Sequence, residues 1–135
     1  MKSHLSVLVI SALLLSGCSS ESKASPFLKQ ICSDWNTSDY ASLSINDREN
    51  LTTNFSSQVT SAVAVDATAA ADFQVAINIM KNVVVLENQA AEFAAKGFVD
   101  NSEFWTNQSS QKSKQAREEI AKVLEKFTQV CRSYE

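Results

Sequence analysis

The chain has 135 residues, with 12 basic and 15 acidic side chains and a formal net charge of −3. That length fits one domain, and so mild an acidic balance gives no reason to expect nucleic acid or an anionic lipid surface as a partner. Only two glycines are present, Gly17 and Gly97, which excludes a glycine-rich phosphate loop.

The N-terminus reads as a leader. Lys2 is followed by a mostly apolar stretch from Leu5 to Leu15. It is too short to stay across a bilayer but right for the apolar core of a secretory signal. It ends in Leu15-Ser16-Gly17-Cys18, which matches the lipobox of bacterial lipoproteins: an apolar residue, two small ones, then the cysteine that takes the lipid. Residues 1–17 are therefore expected to be removed and Cys18 to become the lipidated N-terminus. Resemblance to the lipoprotein class implies a diacylglycerol on Cys18, and more than one acyl chain makes attachment durable. In Gram-negative lipoproteins an aspartate after that cysteine tends to hold the protein in the inner membrane; Ser19 stands there, which favours the outer membrane and a periplasm-facing domain.

Removing 1–17 leaves 118 residues with 11 basic and 15 acidic side chains, and takes away His4, the one histidine. No serine–histidine–aspartate or cysteine–histidine arrangement and no histidine-based metal site can then be built. Asp and Glu are scattered, with no pair singled out. The expectation is a protein that is not an enzyme and needs no metal or cofactor. Two cysteines remain after lipidation, Cys32 and Cys131. In an oxidising envelope compartment a disulfide is the natural reading, two buried free thiols the alternative.

Residues 18–25 are small and polar and read as a lipidated tether; residues 26–135 read as one all-α domain, a small bundle of about four helices. The first helix opens with Ser25 as N-cap and Pro26 at its first position, carries Phe27, Leu28, Ile31, Cys32 and Trp35 as its apolar face, and ends at Asn36-Thr37-Ser38. The second is expected from Asn46, with Glu49 completing a capping box, and carries Leu51, Phe55, Val59 and Ala62 or Val63 as its stripe. A break is placed near Asp66. The third runs to Lys96 on a stripe of Ala70, Phe73, Ile77, Met80 and Val84. Gly97 is expected in the left-handed conformation as its stop, with Phe98 folding back on Phe93. Asp100 and Glu103 then cap the fourth helix, with Val99 and Phe104 as a hydrophobic staple. The fourth helix continues through Ala116, Ile120, Val123, Leu124, Phe127, Val130 or Cys131, and Tyr134.

The third and fourth helices should form a long antiparallel hairpin, with Ile77 opposite Ile120 and Phe73 opposite Leu124. Residues 106–115 contain no apolar side chain, yet they lie opposite Val83, Val84, Val85 and Leu86. Two readings are open: the second helix covers those residues as plain core, or they line a groove for a partner helix. Val83, Val84, Leu86 and, nearer the hairpin tip, Trp105 are the candidate partner-binding residues.

The run Phe27-Leu28-Lys29-Gln30-Ile31-Cys32, followed by Ser33-Asp34 and Ser38-Asp39, resembles the first helix of the secretin pilotins of type II secretion (the PulS/OutS family). Those are short outer-membrane lipoproteins of four helices with one disulfide joining the first helix to the last. Lipobox, length, helix count and cysteine placement agree; the alanine-rich third helix and the polar run 106–115 have no counterpart there. The resemblance implies a pilot: a membrane-anchored, non-enzymatic protein that holds a helical segment of a secretin subunit. The alternative is a structural, immunity or exclusion-type envelope lipoprotein that blocks another protein.

Overall fold

The computed structural model describes residues 22–135. The expected signal peptide, the lipidation residue Cys18 and the start of the tether lie outside the described residues. Among those described there is no strand, and the chain forms four helices: α1 (Ser25–Ser38), α2 (Ile45–Val65), α3 (Ala67–Asp100) and α4 (Glu103–Cys131). Single 3-10 turns cover Tyr40–Ser42 and Arg132–Tyr134. The last residues of the tether are already part of the bundle. Ala24 and Ser25 are buried, and the Ser22 hydroxyl donates to Asp66.

Local chemistry sets the helix ends. Pro26 sits in the first turn of α1, where its missing N–H costs nothing. The helix stops at Asp39, which takes the left-handed conformation at φ 43°, one that a short polar side chain tolerates. The N-cap of α2 lies two residues earlier than expected. Ser44 is the N-cap, accepting from the Asp47 N–H at 3.1 Å and donating to the Asp47 carboxylate at 2.7 Å. The break at Asp66 stands as read: its carboxylate accepts the Ala69 N–H at 3.0 Å and caps α3.

The end of α3 differs from the sequence reading. Gly97 does not terminate the helix, which runs on to Asp100; Asn101 takes the left-handed cap at φ 49°. Gly97 serves proximity instead. A Cβ there would lie 2.8 Å from Thr106 Oγ1 and 3.2 Å from Thr106 N, so the missing side chain lets α4 approach. The four extra residues displace the predicted contacts. Phe98 is 90% exposed and does not fold onto Phe93, and Val99 (80%) and Phe104 (60%) make no staple. Ser102, not Asp100, holds the N-cap position of α4.

The hairpin register is close to the expected one. Lys126 meets Asp72 at 3.1 Å, and Ser109 Oγ donates to the Ala90 carbonyl at 2.8 Å. The core of the bundle is Leu28, Ile31, Phe55, Val59, Phe73, Ile77, Met80, Val83, Val123 and Phe127. Helix α3 is long and apolar enough to cross a membrane, but here its apolar row is buried in that core. At the N-terminal end, Trp35 stacks on Phe127 at 4.1 Å and 13°, and Phe55 closes on Phe127 at 5.7 Å. Beside them Cys32 and Cys131 are bonded to each other, Cα to Cα 5.4 Å, across a sequence separation of 99.

The two ends of the hairpin are therefore unlike. Helices α1 and α2 cover its lower part only. Beyond Ala90 the one buried residue of α3 is Gly97, and α4 has none before Ala116. Residues 91–115 form a bare two-helix arm.

Candidate functional site

Two surfaces could hold a ligand, and of the strip read from sequence only Val84 and Val85 line one of them. Val83 is fully buried and Leu86 is 8% exposed. Both are core, because α2 lies over this part of α3. Val84, expected in the core row, is displaced from it by Val83 and is half-buried. Trp105 lies at the arm's tip, edge-on to Phe104 at 5.0 Å and against Phe93 at 5.3 Å, with the Lys96 ammonium 5.0 Å above its ring. Those contacts account for it. The four candidate residues do not form one surface.

The first surface is a groove of about 520 Å³ between α2 and α3. Its α3 wall is Val84 and Val85, the latter 52% exposed. Its α2 wall is Thr52, Thr53, Ser56 and Thr60, with Glu49 and Lys81 also lining it. The threonine hydroxyls are turned back onto their own helix. Thr52 donates to the Arg48 carbonyl at 2.7 Å, Thr53 to Glu49 at 3.0 Å and Thr60 to Ser56 at 2.8 Å. A hydroxyl bonded to the carbonyl four residues back has its proton engaged, so it can only accept from a ligand, and its methyl group stands beside it. A wall that reads as polar in sequence is therefore less polar in effect, with the threonine methyls beside Val84 and Val85.

The second surface is a groove of about 440 Å³ where the arm leaves the bundle, lined by residues that include Ala41, Ile45, Ala91, Ala94, Ser113 and Arg117. Its base is fixed by a residue that sequence reasoning passed over. Arg48 is 5% exposed. Its guanidinium pairs with Glu87 at 3.0 and 3.1 Å, donates to the carbonyl of Leu43 at 2.9 Å and to that of Tyr40, and lies 5.1 Å over the Tyr40 ring. One side chain thus ties the α1–α2 connection to α3. Burial pushes the Tyr40 phenol well above its ordinary range, with Arg48 opposing. Nothing in the pattern of Ile45-Asn46-Asp47-Arg48 marks the arginine as internal; only the α2–α3 register brings Glu87 to it.

Among the described residues no three of His, Cys, Asp and Glu come together, and Cys32 and Cys131 are consumed in their bond. No family model matches the chain, and no curated protein or solved structure matches it.

Proposed function

We propose that the protein is a lipid-anchored module of the bacterial envelope that works by binding, without catalysis, and that its ligand is an amphipathic helix of another protein laid in the α2–α3 groove. The observation that carries this reading is the groove itself: half-buried Val84 and exposed Val85 facing threonines whose hydroxyl protons are already engaged on their own helix. Apolar surface of this kind suits a helix presenting anchors at i, i+3 and i+4. The lipobox at Leu15–Cys18 supports the anchor, and the pilotin-like first helix supports a secretin subunit as the owner of the bound helix.

The test separates groove from core. Val85→Glu places a charge on an exposed wall and should abolish capture of the partner from solubilised envelopes while the thermal melt is unchanged. Val83→Glu buries an unpaired charge and should unfold the domain. Equal recovery of the same partner by wild type and Val85→Glu would remove the groove from the mechanism.

A further inference from the structure

The arm has its own ligand chemistry, independent of the α2–α3 groove. We propose that it is a self-association surface: two copies overlap their arms antiparallel about a two-fold axis at Ala94, each seating Phe98 beside Ile45 of the other and pairing Glu103 with Arg117.

The α3 residues Phe73, Met80, Glu87 and Ala94 recur every seven positions and so share one face. Phe98 lies one turn further along it. Phe73 and Met80 are buried and Glu87 is paired with Arg48 of α2. Helix α2 begins at Ile45, so above that level the same face continues uncovered, ending in a phenylalanine that is 90% exposed. A row patterned for a neighbouring helix outlasts the helix this chain supplies.

Charge complementarity favours a second copy as the occupant. Among the described residues Asp100 and Glu103 at the tip have no ion-pair partner, and neither has Arg117 at the root of the arm. The acidic end and the basic end lie on one element. An antiparallel partner of the same kind satisfies both at once, and a two-fold axis makes the match twice. The reach is right. Side chains lean toward the N-terminus of their helix, so Arg117 extends up α4 into the groove beside Glu87 and Ala91. An axis at Ala94 brings the partner's Glu103 carboxylate to that level and its Phe98 to Ile45, which is 38% exposed. Alanine on the axis lets the helices approach closely. The overlap is about ten residues of helix, roughly 15 Å, which places the interface at the low end of specific contacts, about 1,200 Å² in total, and predicts a weak dimer.

Cross-linking the full chain in intact envelopes tests this. Ala94→Cys should oxidise to a homodimer, whereas Gln111→Cys, on the far side of α4, should not. Glu103→Arg and Arg117→Glu should each lower the cross-linked fraction by about tenfold, and the two together should restore it. All these positions are exposed, and an unchanged melt confirms that each variant is folded. The proposal is overturned by any of three results: absence of the Ala94→Cys dimer, equal cross-linking from Gln111→Cys, or failure of the double swap to restore it. An adduct of Ala94→Cys with a different polypeptide overturns it as well.

Discussion

Arg48→Ala tests how the lower part of the bundle is held. Arg48 and Glu87 are almost dry, with side-chain exposures of 6% and 11%. Truncating the arginine leaves the Glu87 carboxylate buried without its counter-charge, and breaking such a pair costs about 3–5 kcal/mol. The carbonyls of Tyr40 and Leu43 lose their charged donor in the same step; each costs a further ~1–3 kcal/mol if it stays dry, less if the loop opens to water. Against a total of about 5–15 kcal/mol for a domain, the loss is a large fraction of stability. With a urea slope of about 2 kcal/mol per molar, the unfolding midpoint followed by circular dichroism should fall by roughly 2 M. Arg48→Met with Glu87→Leu removes both charges and should be less damaging than Arg48→Ala, because only the carbonyls stay unsatisfied. If Arg48→Ala costs under about 1 kcal/mol, the value of a surface pair, the clasp is not what binds the α1–α2 connection to α3.

The Cys32–Cys131 bond closes a loop of about 100 residues, so Cys32→Ser should cost about 4–5 kcal/mol by chain entropy, read as the fall in urea midpoint. Alkylation of the non-reduced wild-type protein should find neither thiol free. Gly97→Ala gains about 1 kcal/mol of helix propensity but drives a methyl into Thr106; a net loss of about 1 kcal/mol is expected from crowding, relieved in part when Thr106→Ala removes the Oγ1 contact and leaves that with the backbone N. The Ser22 hydroxyl, and next the Ala69 N–H, hold the Asp66 carboxyl below its usual range. The stability it contributes is present above the unfolded-state pKa of about 4 and is lost as pH falls through the lower folded value. The advantage of wild type over Asp66→Asn in thermal melts should therefore fade below about pH 4.

Much of the fold is legible because its signals are local. Pro26, Asp66 and the spacing of Phe55, Val59, Phe73 and Ile77 each act over one or two turns of helix. What fails to read is set by neighbours. Gly97 looks like a stop because glycine tolerates positive φ, yet its value comes from Thr106 on another helix. Val83 and Val84 are adjacent valines; only the placement of α2 decides which is core and which lines a groove. Thr52, Thr53 and Thr60 look polar until their hydroxyls are seen turned back onto their own helix. Arg48 is indistinguishable in sequence from a solvated arginine. The candidate grooves lie where such cross-helix facts accumulate, which is why Val83, Leu86 and Trp105 fall outside both.

The contrast between the two ends of the hairpin carries a last prediction. A helix is held in a protein mostly by the face it buries, and an isolated pair of short helices is marginal in water. Below Ala90, α3 and α4 are fixed by Phe73, Ile77, Met80, Val123 and Phe127, by the disulfide and by the stacked Trp35. Above it, the arm has the Ser109–Ala90 hydrogen bond, the close contact at Gly97 and the Phe93–Trp105 pair. Those few contacts cannot match the core, so the arm should open without unfolding the rest. Amide hydrogen exchange on dilute protein should show residues 92–112 exchanging orders of magnitude faster than 73–86 and 120–130. Raising the protein concentration should then slow exchange in the arm and nowhere else, because a second copy supplies the missing neighbours. Arm amides that exchange only with global unfolding in dilute solution would mean that the two helices hold each other unaided. Fast exchange that ignores concentration would leave the arm open but without a second copy to cover it.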